Sequence, residues 1–136
     1  MSKDILNTFK IKEENDIAKA RFAVRTTVKE LGFSMTDITR IVTAASELAR
    51  NIFHYAGKGA IQWRSIHKEN ITGIELIFSD KGPGIEDIEQ ALEPGYSTSN
   101  GMGQGLPGVS RLMDEMNIDS ELSKGTTVTI RKWLRD

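Results

Sequence analysis

Cysteine is absent from this chain of 136 residues, and long apolar runs are absent as well. Without cysteine the protein has no disulfide framework, no thiolate metal site and no thiol nucleophile. No apolar run approaches the roughly 18 residues that a membrane-spanning helix needs, and the chain carries no apolar signal segment. These absences argue against secretion and membrane spanning, and we expect a cytoplasmic protein without a membrane partner.

An excess of charge of one sign is also missing. The 18 basic and 19 acidic residues give a net charge of −1, so charge alone steers the chain neither to nucleic acid nor to anionic lipid. Hydrophobic residues make up 38% of the chain and charged residues 27%, which is ordinary for a soluble protein. We expect no nucleic-acid partner, and we expect residues 1–136 to form one domain that buries its core without disulfides.

Hydrophobic periodicity predicts the secondary structure, because helical and strand-like spacing alternate along the chain. The predicted elements are a strand at 5–11, helices at about 14–31 and 34–57, strands at 59–67 and 74–80, a short helix at 86–92, a mobile loop at 93–105, a third helix, and a hairpin of strands at 117–122 and 126–133. This order predicts an α/β two-layer sandwich, with a mixed sheet and the helices on one face.

The third helix is predicted from an apolar stripe that follows the glycine-rich loop. Its members are Leu106, Val109, Leu112, Met113 and Met116. Pro107 suits the first turn of a helix, because a backbone N–H at that position has no partner within the helix. We therefore expect the helix to begin at Leu106.

Glu47 and Asn51 lie four residues apart on the second predicted helix and therefore share one face. A carboxylate can take the proton from an attacking hydroxyl, and a carboxamide oxygen is a hard neutral ligand suited to Mg²⁺. Small residues such as Ala49 would let a ligand approach closely. Arg50 is able to hold a phosphate, but an ion pair with a neighbouring acid is the favoured role. From these residues alone, a solvated polar face is the ordinary alternative.

Asp80 stands at the end of an apolar strand and precedes Gly82 and Gly84. A carboxylate facing a pocket can accept a hydrogen bond from the exocyclic amine of adenine, whereas guanine would present a second acceptor there. The two glycines allow the backbone to pass against a purine ring, and the hydroxyl of Thr126 can reach the same ring. A polar reverse turn and an ordinary strand threonine are the alternatives.

Four glycines fall within eight positions ahead of the third predicted helix: Gly101, Gly103, Gly105 and Gly108. Their backbone N–H groups can turn towards an anion, and the positive end of the following helix is directed at the same place. The spacing also matches the dinucleotide-binding pattern G-x-G-x-x-G, but no strand precedes it, and the chain has no Gly-Lys-Ser or Gly-Lys-Thr sequence. The segment favours a phosphate-enclosing loop over a flexible linker, which is unusual inside a compact domain.

Taken in order, these motifs resemble those of the GHKL ATPase superfamily, which has the Bergerat nucleotide-binding fold. The motifs cover about residues 47–126, and within the superfamily the chain is similar to serine/threonine switch kinases of the stressosome. The resemblance implies ATP and Mg²⁺ as cofactors, with Glu47 as the general base and Asn51 as the Mg²⁺ ligand. It implies a nucleotide site made of Asn51, Asp80, Gly82, Gly84, Gly101, Gly103, Gln104, Gly105, Leu106 and Thr126.

The resemblance also implies partners. The substrate would be a serine or threonine on a STAS-domain scaffold or antagonist protein, and the released kinase would activate a PP2C-type phosphatase or another signalling output. Two alternatives stay open: an anti-sigma factor kinase that binds a sigma factor and phosphorylates its antagonist, and a non-catalytic module that binds ATP and a partner. The protein would act as a monomer or as a weak homodimer.

Overall fold

The computed structural model describes residues 7–85 and 102–135, and this part of the chain contains five strands and three helices. They are β1 (Asn7–Ile11), α1 (Asn15–Leu31), α2 (Met35–Ala56), β2 (Gly59–Lys68), β3 (Ile71–Asp80), α3 (Met102–Leu112), β4 (Glu115–Glu121) and β5 (Gly125–Trp133). The predicted two-layer α/β architecture is confirmed. The short helix predicted at 86–92 and most of the loop predicted at 93–105 lie outside the described residues. None of the three described helices is long and apolar enough to cross a membrane.

The five strands form one sheet in the order β1-β2-β3-β5-β4. Every neighbouring pair among the described strands is antiparallel, so the predicted mixed sheet is wrong in this detail. The tight turn at 122–124 joins β4 to β5 and forces these two strands to run antiparallel. Because β5 then inserts between β3 and β4, the last two strands complete the sheet without a parallel pair.

Local signals fix the ends of α1 and α2 close to their predicted positions. The hydroxyl of Ser34 accepts a hydrogen bond from the backbone N–H of Asp37 at 3.1 Å and so caps the start of α2. Gly32 ends α1 in the left-handed conformation, with a φ of 99°. Between these ends α2 packs against α1, α3 and four of the strands. The helix that carries Glu47 and Asn51 is therefore the centre of the helical layer.

The core lies between the helices and one face of the sheet. The register places Ile61 opposite Phe78 and Leu76 opposite Ile130, so these buried side chains point to the same side. They meet the apolar stripe of α2, which includes Ile41. Each fully buried side chain of this size contributes about 1.5–3 kcal/mol, and this burial fixes the position of α2 on the sheet.

The opposite face of the sheet, which we call the open face, carries a row of charged side chains. Arg64, Glu75, Arg131 and Glu115 lie directly opposite one another across β2, β3, β5 and β4. Glu75 is only 3% exposed, and its carboxylate pairs with Arg64 at 2.9 Å and with Arg131 at 2.7 Å. Hydrogen bonds from Trp133, and to a smaller extent from Arg131, hold the pKa of Glu115 below its ordinary value. Because the described helices pack on the other face, ion pairs take the place of helix packing on the open face.

The third helix, α3, differs from the prediction at both ends. It begins at Met102 rather than Leu106, and Pro107 consequently lies inside the helix. It ends at Leu112, and Met116 belongs to β4, where it lies opposite Ile130. Glycine costs about 1 kcal/mol relative to alanine in a helix, so propensity favours a loop before Leu106. Packing of the apolar face of α3 against α2 outweighs that cost.

Candidate active site

A pocket opens between the helical layer and the sheet. Its lining residues are Leu48, Asn51 and Ile52 from α2, Phe78 and Asp80 from β3, Ile85, Leu106 from α3, and Thr126 and Val128 from β5. The empty space, including the part that is open to solvent, is about 370 Å³. Six of the nine lining side chains are apolar and three are polar. Such a lining suits a flat, largely apolar ring that a few polar contacts orient.

One carboxylate oxygen of Asp80 is held in place, and the other is left for a ligand. Oδ1 accepts hydrogen bonds from the backbone N–H of Gly82 at 2.8 Å and of Thr126 at 3.3 Å. Oδ2 accepts no hydrogen bond from the described residues. The register of β3 and β5 places Asp80 directly opposite Thr126, which brings two predicted site residues together. The fixed carboxylate therefore presents a hydrogen-bond acceptor to the pocket.

Ser120 of β4 organises the polar side of the pocket, although the sequence analysis did not select it. Its hydroxyl oxygen accepts a hydrogen bond from the backbone N–H of Ile85 at 2.8 Å. The same hydroxyl donates to the carbonyl oxygen of Gly125 at 3.2 Å and lies 2.9 Å from the hydroxyl of Thr126. A hydroxyl has one proton to donate, so Thr126 is left as the donor of the 2.9 Å bond. Thr126 then keeps oxygen lone pairs for a donor in the pocket.

A weak signal for Ser120 exists in the sequence. Alternation along β4 puts Ser120 on the same side as Met116 and Ile118, which pack against the core. A serine at an inward-facing position of a strand needs a hydrogen-bond partner. The identity of that partner follows from the strand order, which places Ser120 opposite Thr126.

The two glycines after β3 allow close packing of the protein on itself. A Cβ at Gly82 would lie 2.8 Å from the Cβ of Ala56, at the end of α2. Gly84 has a φ of 83°, and a Cβ there would lie 2.4 Å from the carbonyl oxygen of Glu121. Both glycines therefore let the segment after Asp80 lie against neighbouring elements. Their contact with a purine ring stays a prediction.

Asn51 lines the pocket from α2, and its carboxamide makes no hydrogen bond to the described residues. Its oxygen is therefore available as a ligand. Glu47 lies one helical turn before Asn51 on the same face, outside the residues that line the pocket. The structure thus brings Asn51 to the same cavity as Asp80, with Glu47 close by.

Arg50 pairs with Glu47, which confirms the predicted ion pair with a neighbouring acid. The two side chains are 44% and 41% exposed. An ion pair with this much exposure contributes no more than about 1 kcal/mol, because water screens it and two long side chains lose freedom. Glu47 can therefore exchange Arg50 for another partner at little cost.

The first turn of α3 contains three of the predicted phosphate-binding residues: Gly103, Gln104 and Gly105. Gly101 lies outside the described residues. The backbone N–H groups of a first helical turn have no partners within the helix and carry its positive end. Because Leu106 lines the pocket and α3 packs on α2, this turn begins beside the pocket.

The sequence matches one protein family over most of its length. A family model described as a histidine kinase-like ATPase domain matches residues 11–132. The chain is 50% identical to the serine/threonine-protein kinase RsbT of Bacillus subtilis over 93% of this chain and 95% of that protein. It is 37% identical to an anti-sigma F factor of Clostridium beijerinckii over 91% of this chain and 90% of that protein.

The fold is similar to that of a solved structure, the RsbU and RsbW domains of Rv1364c from Mycobacterium tuberculosis. The TM-score is 0.61 at 18% identity, and the match covers 96% of this chain and 33% of that chain. At this identity the likeness concerns the fold alone. It agrees with the two layers described above.

Proposed function

The chain belongs to the histidine kinase-like ATPase family, and from that premise we propose that it is a serine/threonine protein kinase that transfers a phosphoryl group from Mg·ATP to a partner signalling protein. The observation that carries this proposal is the convergence of Asn51 and Asp80, from different elements, on one mostly apolar pocket. The similarity to RsbT over nearly the whole length of both chains supports the same activity.

Asp80 would select adenine as the base. Its free Oδ2 is an acceptor for the exocyclic amine of adenine, and the oxygen of Thr126 is a second acceptor nearby. Guanine has a carbonyl oxygen where adenine has the amine, so two acceptors would face each other. An unpaired buried acceptor costs about 1–3 kcal/mol, which corresponds to a preference for ATP over GTP of roughly 5- to 150-fold.

Asn51 would hold Mg²⁺ through its carboxamide oxygen, together with phosphate oxygens and water. When bound, the metal supplies positive charge that neutralises the phosphates during transfer. The free backbone N–H groups at the start of α3 would bind the phosphates from the other side. The residues of this phosphate-binding segment are Gly101, Gly103, Gln104, Gly105 and Leu106.

Glu47 would act as the general base on the acceptor hydroxyl. It would release Arg50, accept a hydrogen bond from the serine or threonine, and take its proton as the phosphoryl group arrives. The weakness of the exposed ion pair supports this exchange. Apart from this proton transfer, catalysis would consist of positioning and charge neutralisation.

The acceptor would be a serine or threonine of a STAS-domain scaffold or antagonist protein. After transfer the kinase would leave this partner and activate a downstream phosphatase or another signalling output. The likeness to RsbT, a serine/threonine-protein kinase, supports a protein acceptor. The STAS-domain identity of that acceptor and the downstream output rest on the family resemblance of the motifs.

Transfer of labelled phosphate tests the kinase proposal. The protein is incubated with labelled Mg·ATP and a purified STAS-domain partner, and we expect label on a serine or threonine of the partner. Glu47→Ala should abolish the label, whereas Glu30→Ala, an exposed glutamate on α1, should retain it. If the partner stays unlabelled and Glu47→Ala changes nothing, the protein is a non-catalytic binding module.

A second candidate is an anti-sigma factor kinase, favoured by the 37% identity to an anti-sigma F factor. The chemistry would be the same and the client different. Stable co-purification with a sigma factor, with label appearing on the antagonist of that complex, would establish this alternative. The higher identity to RsbT favours the first candidate.

A further inference from the structure

A second groove lies at the same end of the sheet as the pocket. Its empty space is about 1,300 Å³, including the part that is open to solvent. Five lysines border it, and we call it the lysine groove: Lys10, Lys12, Lys58, Lys81 and Lys124. All five side chains are exposed.

The floor of the lysine groove is a row of small residues on the open face of the sheet. Ala60 of β2 lies opposite Ser79 of β3, and Ser79 lies opposite Thr127 of β5. Ser79 and Thr127 are the chain neighbours of Asp80 and Thr126, whose side chains serve the pocket. Because side chains alternate along a strand, the floor of the groove and the pocket lie on opposite faces of β3 and β5, and Asp80 borders both. A partner on this floor would lie across the sheet from the pocket.

The lysine groove is positively charged, although the whole chain has a net charge of −1. Among the described residues, Lys10, Lys12, Lys58 and Lys81 have no carboxylate within ion-pairing distance. Lys124 pairs with Glu121 at 3.4 Å, and both side chains are largely exposed. The basic charge is therefore concentrated at the groove and is available to a partner.

Two aspartates close to the lysines, Asp16 beside Lys12 and Asp80 in the lining of the groove, are engaged with the backbone. The carboxylate of Asp16 accepts hydrogen bonds from the backbone N–H groups of Lys12 and Glu13, both at 2.9 Å. The carboxylate of Asp80 accepts hydrogen bonds from two backbone N–H groups. Neither acid neutralises the lysine side chains through a direct ion pair.

We propose that the lysine groove docks an acidic segment of a protein partner. Complementary charge accelerates encounter and selects the partner, while the hydroxyls of Ser79 and Thr127 can bind carboxylates or backbone on the floor. A protein suits the groove better than a nucleic acid. The described lining has no aromatic side chain on which a base can stack, and the lysines border one groove rather than a continuous track along a backbone.

Matched charge reversals test this proposal. The groove variant is Lys58→Glu with Lys81→Glu, which lie just outside the paired strand residues Gly59 and Asp80. The control variant is Lys29→Glu with Lys68→Glu, two exposed lysines on α1 and at the far end of β2, and it has the same net charge. The probe is a fluorescein-labelled peptide of alternating glutamate and serine, compared with a single-stranded DNA of equal charge. Binding is measured by fluorescence anisotropy, and ATP affinity is measured by calorimetry.

We expect the unmodified protein to bind the acidic peptide more tightly than the DNA. The groove variant should lose at least about tenfold in peptide affinity and the control variant no more than about twofold. Both variants should retain ATP affinity. If the groove variant does not fold, protection of lysines from acetylation on the unmodified protein replaces it: the peptide should protect the groove lysines and leave Lys29 and Lys68 reactive.

Several results would overturn the proposal: no peptide binding, equal losses in the two variants, tighter binding of DNA, or loss of ATP affinity in the groove variant alone. The docking proposal does not depend on the kinase assignment. Peptide binding that requires the groove lysines, in a protein that transfers no phosphate, would refute the kinase proposal and leave the docking proposal standing.

Discussion

The two ends of the pocket, which we call the strand end (Asp80 and Thr126) and the helical end (Asn51 and Glu47), are built differently. The end at Asp80 rests on paired strands, where its carboxylate holds two backbone N–H groups and the hydroxyls of Thr126 and Ser120 lie 2.9 Å apart. The other end rests on helical side chains. Among the described residues, Asn51 makes no hydrogen bond, and the partner of Glu47 is the exposed Arg50. Under the proposed function this difference would separate recognition from chemistry: fixed groups discriminate between ligands without an ordering cost, whereas the less constrained groups would bind a metal and a substrate.

The largest effect should come from removing Asn51 at the helical end. We expect Asn51→Ala to abolish Mg²⁺-dependent phosphoryl transfer, because the side chain that we propose as the metal ligand is lost. ATP binding without Mg²⁺ should stay within about twofold, because the strand end is intact. Transfer assays over a range of Mg²⁺ and calorimetry measure both quantities, with the exposed Asn117→Ala as control. Retained activity at ordinary Mg²⁺ would argue against the ligand role.

Glu47→Gln should lower the rate of phosphoryl transfer while leaving ATP affinity nearly unchanged. The amide cannot accept the proton of the acceptor hydroxyl, so the transfer rate at saturating ATP should fall by about 10²- to 10⁴-fold. ATP affinity should change little, because Glu47 does not line the pocket. Single-turnover transfer and calorimetry give the two numbers, and Glu30→Gln on α1 is the matched control. A loss of ATP affinity as large as the loss of rate would place Glu47 among the binding residues instead.

Asp80→Asn should change the specificity of the strand end. The new amide oxygen can still accept the N–H groups of Gly82 and Thr126, so the fold should be preserved. An NH₂ group then replaces the free Oδ2 and meets the amine of adenine, donor against donor. We expect ATP affinity to fall roughly 10- to 100-fold, whereas GTP affinity should stay the same or increase.

Calorimetry with both nucleotides measures this change in specificity. Asp119→Asn, an exposed aspartate on β4, is the control and should bind ATP normally. Unchanged ATP binding by Asp80→Asn would refute the assignment of Asp80 to the adenine amine.

Ser120→Ala should give the smallest effect. It removes the acceptor of the Ile85 N–H and the partner of the Thr126 hydroxyl. Of these two groups only the Thr126 hydroxyl is proposed to contact the ligand, and loss of one hydrogen bond is worth about 1 kcal/mol, so we expect ATP affinity to fall about threefold to tenfold. The rate at saturating ATP should be unchanged, since the helical end is not touched. Steady-state kinetics separate the two, and an equal fall in rate and affinity would show that the ends are coupled.

The sequence predicts which residues form the strand end of the site, but it does not predict their hydrogen bonds. Alternating apolar residues identify β3 and β5, and the structure places the predicted pair Asp80 and Thr126 opposite each other. The contacts of Ser120 depend on which strand lies beside β5, and a single sequence does not state strand order. The same limit explains why a mixed sheet was predicted where the described strands are all antiparallel.

At the helical end, periodicity predicts α2 and the shared face of Glu47 and Asn51 well. The start of α3 is predicted wrongly, because its glycines have low helix propensity and packing on α2 decides their conformation. An ion pair of Arg50 with a neighbouring acid is predicted, and the structure identifies that acid as Glu47, one turn away on the same helix. Interactions within one helix can therefore be predicted from the sequence, whereas strand order and the packing of one helix on another cannot.

A crystal structure with Mg²⁺ and a non-hydrolysable ATP analogue tests the assignment of the two ends most directly. We predict that the base lies in the pocket, with its exocyclic amine about 3 Å from the free oxygen of Asp80, and that the metal contacts the oxygen of Asn51. A base bound elsewhere, or a pocket filled by the side chains of the protein itself, would contradict the adenine-binding role of Asp80 and the proposals that depend on it.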